Sequence, residues 1–442
     1  MKTITTVLIT LAINILAQPN YTELNSGVNT SLNSVCMVGK NLSQPNYPSQ
    51  VWVCGANGVV LKSTDIGSNW SSVGTNGIPA TVNLITISSR GNDTVLTAGN
   101  IGSTTYVYRT VNGGLNWSQV FTQANGKINA IWMRNATSGF MTGNPVGGRW
   151  SLWKTSNAGL TWDSTGMFLS QAGSETGWNN SLTIQNNNIW FGTNNTRLYR
   201  STNSGSIWSA VTTAPEVNSS AVWIYFDTSS NSTFVSFGGN NVYYSTNNGS
   251  SWQQAGCPDT GKFVGFCPGY FGVYDQYPMS MYTVRNNSKI YFSFGFYNYN
   301  AEYTAPSGVY NRLANDIERS YWWYSFAVRS NGGITRFSLF RGGAVRRISD
   351  VVPEDFGLYQ SYPNPFNPVT NIRFSIPNYI KEAVKLVVYD ILGREINVLV
   401  NEQLIAGEYE ASFDASDIPG GVYFYRLISG TFTISKKMVL IK

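Results

Sequence analysis

Thr110-Val-Asn112-Gly-Gly114-Leu-Asn-Trp117 is one of five copies of a single eight-residue phrase. The others are Ser63-Thr-Asp65-Ile-Gly67-Ser-Asn-Trp70, Thr155-Ser-Asn157-Ala-Gly159-Leu-Thr-Trp162, Ser201-Thr-Asn203-Ser-Gly205-Ser-Ile-Trp208 and Ser245-Thr-Asn247-Asn-Gly249-Ser-Ser-Trp252. Successive tryptophans lie 47, 45, 46 and 44 residues apart, the length of a propeller blade of four short strands. In each copy the hydroxyl and Asx side chains suit bonds to the backbone of a tight turn, and glycine supplies the positive φ that other residues resist. The tryptophan is then placed to pack on a neighbouring hairpin. Strand-like runs such as Val51-Trp-Val53, Tyr106-Val-Tyr108 and Val242-Tyr-Tyr244 precede the copies, so the phrase falls between the last two strands of a blade.

Dividing residues 18–350 by the mean spacing predicts an all-β domain of about seven blades, and six or eight also fit the length. Residues 253–350 span about two repeat lengths without a clean copy. Ser330-Asn-Gly-Gly333, with Phe337 near the tryptophan position, reads as a worn one.

Composition agrees with this class. Charged residues are only 12 %, aromatics reach 14 %, and glycine numbers 43, as expected of many short strands joined by tight turns. The 442 residues exceed one ordinary core, so a repeat domain with an appendage is expected. Histidine is absent, which excludes Ser-His-Asp and Cys-His nucleophiles and His-bearing zinc sites. No cofactor or metal constellation is read from the chain. Of the net charge of +6, residues 1–352 hold the excess, with 21 Lys and Arg against 13 acids. With no long basic run, this describes a mildly cationic surface, and nucleic acid is not an expected partner.

Met1-Lys2, the apolar stretch Val7 to Ala17 and the polar Gln18-Pro19-Asn20 predict a signal peptide over 1–17. No other segment has the roughly 18 apolar residues a membrane span needs, so no transmembrane segment is expected. In an exported chain the four cysteines are expected to be oxidised, as the local pairs Cys36 with Cys54 and Cys257 with Cys267, although four cysteines allow three connectivities.

The repeated phrase resembles the Asp-box, or BNR, repeat of sialidases, sortilin-type propellers, some glycoside hydrolases and photosystem II assembly-factor-like propellers. Four of the five copies carry Asn where the motif has Asp, which keeps the turn bonds and drops the charge. The resemblance implies a structural turn set away from the ligand-binding end.

Composition changes after Asp350. A linker is expected over 351–358, then a small Ig-like β-sandwich over 359–442. Alternation in Ile372-Arg-Phe374-Ser-Ile376, Val384-Lys-Leu386 and Tyr409-Glu-Ala411-Ser-Phe413 marks half-buried strands. Four phrases occur in order: Tyr362-Pro363-Asn364-Pro365-Phe366-Asn-Pro368, Val388-Tyr-Asp-Ile-Leu-Gly393-Arg394, Gly421-Val-Tyr-Phe-Tyr425 and Lys437-Met-Val-Leu-Ile-Lys442. They resemble the type A C-terminal sorting domain of the type IX secretion system. That resemblance implies passage through the outer-membrane translocon, removal of the domain by a sortase-like protease, and release or attachment at the cell surface.

Glycoside hydrolysis needs two carboxylates converging on one bond, and the scattered propeller acids form no recognisable pair, so no catalytic residue is assigned. Two clusters are candidate ligand contacts. One is Tyr291 to Tyr299 with Tyr321, Trp322, Trp323 and Tyr324, a potential stacking platform whose competing use is core packing. The other is Arg329, Arg336 and Arg341, followed by Arg346 and Arg347, a potential clamp for carboxylate or phosphate whose competing use is a solvated strand face. The expected function is a secreted or cell-surface, non-enzymatic propeller that binds a protein or glycan at one end of its channel. The alternative is a secreted glycoside hydrolase of the sialidase-like or xyloglucanase-like class.

Overall fold

The computed structural model describes residues 20–38, 50–89, 91, 93–227, 232–268, 280–294, 298–315, 322–340, 346–349, 352–380, 382–402, 404–415 and 418–441. The predicted signal peptide lies outside them. Every regular element in the described residues is a strand, and no helix is long and apolar enough to cross a membrane. The chain divides into two compact units, one built from residues 20–318 and 324–338, the other mainly from 339–442.

The first unit contains seven sheets among the described residues. Their inner strands are Leu32–Val38, Asn83–Ser89, Ile128–Met133, Gly177–Gln185, Ala221–Asp227, Phe263–Pro268 and Tyr310–Asn315. Each inner strand packs against that of the next sheet, and the seventh returns to the first, so the sheets form a closed ring. Hydroxyls help to fasten neighbouring sheets: Thr86 Oγ1 accepts a bond from Ile131 N at 3.3 Å, and Ser88 Oγ one from Met133 N at 3.1 Å. The third sheet has three strands, and an isolated bridge between Lys154 and Asp163 takes the place of the fourth.

The seventh sheet closes the ring. Its outermost strand is Asn20–Leu24, which pairs with Ile334–Phe340 in a register running from Asn20 with Ser338 to Leu24 with Ile334. Glu23 holds this clasp from both oxygens. Oε1 accepts from Thr335 Oγ1 at 2.7 Å and Tyr303 OH at 2.8 Å, and Oε2 pairs with the buried Arg329.

This closure explains where the repeated phrase stops. Each copy lies between the third and fourth strands of its sheet, and in the seventh sheet those strands come from opposite ends of the chain. Ser330 to Gly333, expected to be a worn copy, instead joins Trp322–Arg329 to Ile334–Phe340, the second and third strands. In the sixth sheet only residues 295–298 separate Lys289–Phe294 from Tyr299–Thr304, too few for an eight-residue phrase.

The indoles pack across sheet boundaries. Trp70 meets Phe326 of the seventh sheet edge-on with ring centres 6.5 Å apart, and Trp117 meets Trp52 of the first in the same way. Trp208 packs on Phe140 of the third sheet at 6.0 Å, and Trp252 donates its Nε1 proton to Thr212 O of the fourth at 2.8 Å.

Neither expected disulfide forms, because Cys54, Cys257 and Cys267 carry free thiols. On the paired strands Cys36 lies opposite Trp52 and Cys54 opposite Ser34, so the two cysteines are diagonal and not facing. Cys54 is buried, which pushes its thiol pKa well above the usual range. Cys267 faces Ser325, and burial raises its thiol to about 12.

The second unit stacks two four-stranded sheets over one apolar core that includes Phe366, Phe374, Leu386, Phe413, Tyr425 and Met438. Its first sheet begins earlier than the expected boundary. Arg346–Ser349 pairs with Gly407–Asp414, and Gly357–Leu358, inside the expected linker, pairs with Val369–Ile376. Two- and four-residue strands carry too little alternation to be read from sequence. The Tyr362 to Phe366 phrase is fastened to the last strand, Phe432–Leu440: Asn364 Oδ1 accepts from Val439 N, and Phe366 N donates to Val439 O, both at 2.9 Å. Asp390 Oδ1 accepts from Leu392 N and Arg394 N, and Gly393 adopts φ +77°, which together make the hairpin turn of the second phrase.

Candidate ligand site in the ring axis

The ring axis is obstructed by one side chain. Residues 178–181 of the fourth inner strand stand opposite Gly192 alone, because the register passes from Gly177 with Thr193 directly to Leu182 with Phe191. The surplus forms a bulge, and Asn180 at its centre takes φ +58°, a conformation Asn tolerates better than most residues. Gly192 is required beside it, since a Cβ there would lie 1.7 Å from Ser219 O.

Asn180 reaches across the axis. Its Nδ2 donates to Ile85 O of the second sheet at 3.1 Å, and its Oδ1 accepts from Ser34 Oγ of the first at 3.3 Å. Its own carbonyl accepts from Arg312 Nη1 of the seventh sheet at 2.9 Å. Four sheets are thereby joined through one buried residue.

Beside this strut lies a cavity of about 170 Å³. Its walls mix apolar and polar surface in about equal parts, with Met37, Trp132, Trp223 and Phe266 on the apolar side, Thr86 and Ser88 among the hydroxyls, and Arg312 the one charged residue among the described residues. Burial lowers the Arg312 guanidinium to about 10, so it stays protonated at neutral pH. The cavity is lined by the later residues of the first three inner strands, up to Ser89 and Met133. The repeated turns lie toward the same end, since Gly113 N donates to Asp93 O, and Ala158 N to Thr137 O, just beyond those strands. The cavity thus lies toward the repeated phrase, whereas the resemblance implies a ligand-binding end away from it.

The phrase itself is spent on its own turn. In order along the chain, Ser63, Thr110, Thr155, Ser201 and Ser245 accept from the glycine N–H four residues on, at 2.7, 3.0, 3.0, 2.9 and 2.8 Å. Asp65, Asn112, Asn157, Asn203 and Asn247 likewise accept through Oδ1 from the backbone N–H four residues on, at 2.8 to 3.0 Å. Positive φ is needed at two positions and not one: the residue before the glycine, including Ile66 and Ala158, also lies near +57°.

Among the described side chains the expected arginine clamp does not assemble. Arg329 is 3 % exposed and committed to Glu23. Arg336 donates through Nη1 to Ile66 O at 3.0 Å and lies over the Tyr324 ring, so it braces the first repeated turn. Arg341 lies outside the described residues. Tyr291 and Tyr299 belong to a buried core, so they offer no stacking surface. Trp322 and Trp323 start a seventh-sheet strand, their side chains outside the description, as is Tyr321.

Several propeller acids are tied into the scaffold. Buried Glu175 accepts from Tyr199 OH, from Trp150 Nε1 at 3.2 Å and from Ala172 N at 3.1 Å. Glu216 accepts from the backbone N–H groups of Asn218 at 3.2 Å and Asn241 at 3.1 Å. Asp259 accepts from Lys289 Nζ and Tyr291 OH, both at 3.0 Å.

Sequence reasoning missed Asn180 and Arg312. The Asn179-Asn180-Ser181 cluster inside a strand-like run signals a break in the pattern; Arg312, a single arginine in an ordinary strand pattern, has no such signal.

Comparison with known proteins matches residues 360–442 to the secretion system C-terminal sorting domain and residues 22–262 to the photosynthesis system II assembly factor YCF48. No curated protein matches the chain. Among solved structures, YCF48 bound to D1 peptide superposes with a TM-score of 0.54 at 12 % identity, covering 73 % of this chain and 97 % of that one. YCF48 from Cyanidioschyzon merolae superposes with a TM-score of 0.53 at 13 % identity, covering 72 % and 98 %. The sorting domain marks the protein for export by the type IX secretion system to the cell surface or extracellular space. By its propeller, the chain belongs to the family of photosynthesis system II assembly factor YCF48.

Proposed function

We propose that this protein is an exported, non-enzymatic binding propeller whose ligand, a protein or a glycan, engages the cavity in the ring axis. The supporting observation is the contrast between the axis and the acids. Apolar and hydroxyl side chains surround the cavity, a lining suited to holding a ligand, whereas Glu23, Glu175, Glu216 and Asp259 are engaged in scaffold bonds. A solved propeller of the same fold is bound to a peptide, which favours a polypeptide over a glycan. Export proceeds from a signal peptide over residues 1–17 and through the outer-membrane translocon, and a sortase-like protease then removes the tail.

The decisive assay incubates the purified protein with fluorogenic glycosides and polysaccharides and, in parallel, measures binding to a peptide and glycan array. Binding without turnover, weakened by Trp223→Ala in the cavity wall, is the expected result. Turnover abolished by substituting a single acid overturns the reading. Deleting residues 437–442 is expected to trap the protein in the cell envelope, and normal secretion of that truncation refutes the export route.

A further inference from the structure

We propose that the axial cavity is a receptor for an apolar monocarboxylate, with Arg312 as the group that reads the carboxylate. This rests on the binding function proposed above and names its ligand chemistry.

Arg312 makes no ion pair among the described residues. Its Nη1 donates to Asn180 O at 2.9 Å and more distantly to Val264 O at 3.5 Å, and both are neutral carbonyls. Arg312 is half-buried, and among the described residues no acid compensates it as Glu23 compensates Arg329. At Arg312 the rest of the planar guanidinium fork has no protein acceptor among the described residues, and the residue lines the cavity. Carboxylate and phosphate oxygens both match that fork, and a small, half-apolar cavity with a single cation favours the singly charged carboxylate, whose desolvation costs less.

The remaining lining sets the rest of the ligand. Met37, Trp132, Trp223 and Phe266 offer polarizable and aromatic surface to an apolar body. A dry cavity of about 150 Å³ admits a benzene-sized group, so about 170 Å³ suits one such group bearing a carboxylate. The Asn180 strut crosses the axis, which favours a short acid or the end of a chain over a segment threaded through the ring. Two sources share this chemistry: a free organic acid, and the terminal residue of a polypeptide ending in an apolar side chain.

The test is calorimetric titration of the full-length protein with phenylacetate and phenylacetamide, and with one short peptide ending in phenylalanine as the free acid and as the amide. In at least one pair the acid is expected to bind ten-fold or more tightly than the amide, and the pair showing it identifies the source. Arg312→Met is expected to erase the preference. Arg312→Lys keeps the charge without the fork and is expected to reduce it, with thermal unfolding checking that each variant folds. The wild-type comparison of acid with amide stands even if a variant does not fold. Equal binding of acid and amide overturns the inference. If no carboxylate binds but an array ligand does, the inference fails and the binding function stands; if nothing binds, both fail.

Discussion

The first five sheets and the last two solve the same problem differently. In each of the first five, a local phrase ties the final hairpin with its own side chains and sends an indole into the boundary with the preceding sheet. The sixth has too short a connection for the phrase. The seventh draws its outer strand from the other end of the chain and fastens it with Glu23 and Arg329. The phrase is thus a device for a continuous turn, and long-range pairing replaces it where no such turn exists.

The largest blow to this contrast comes from the boundaries. Trp117 is 5 % exposed, and Trp117→Ala should destabilise the propeller by about 4 kcal/mol in denaturant unfolding; a loss below about 1 kcal/mol would show that the indole is not a wedge. Glu23→Ala, in a sheet without the phrase, should cost about 3 kcal/mol because Arg329 is left buried without its partner. Hydrogen exchange should then rise first in Asn20–Leu24 and Ile334–Phe340. An unchanged exchange pattern would locate the closure elsewhere.

A smaller gain tests the turn itself. Ala158 sits at φ +57°, so Ala158→Gly should stabilise by roughly 0.5 kcal/mol, relief of left-handed strain slightly exceeding the added freedom of the unfolded chain. A loss would mean that the Ala158 methyl packs favourably.

The smallest effect separates the one charged copy from the four neutral ones. Burial raises the Asp65 carboxyl, but bonds from Asn69 and Ser63 outweigh it and leave the group below its ordinary value. Its folded form therefore favours the ionised state. That stabilisation is complete above the unfolded value of about 3.9 and is lost as pH falls through the lower folded value. Asp65→Asn should flatten the acid limb of stability against pH, and an unaltered limb would assign the titration to other groups.

The architecture was legible because five turns repeat at one spacing, and the tail because four phrases occur in order. The site was not. A candidate clamp drawn from Arg329, Arg336 and Arg341 treated neighbours in sequence as neighbours in space, yet Arg329 turns to Glu23 and Arg336 to Ile66. Arg312 and Asn180 meet across 132 positions of chain, a distance no local pattern encodes. Glycine was expected to carry the turn alone, but the left-handed residue before it can be Ile66 or Ala158, whose identities give no sign of that conformation.

The clasp between Asn20–Leu24 and Ile334–Phe340 also orders events in time. Loop-closure entropy makes the pairing of such distant segments slow, and during synthesis the emerging chain can stack six sheets before its opening strand finds a mate. Until then it is an arc with two unsatisfied rims, and it becomes a closed ring only when that outer strand is seated.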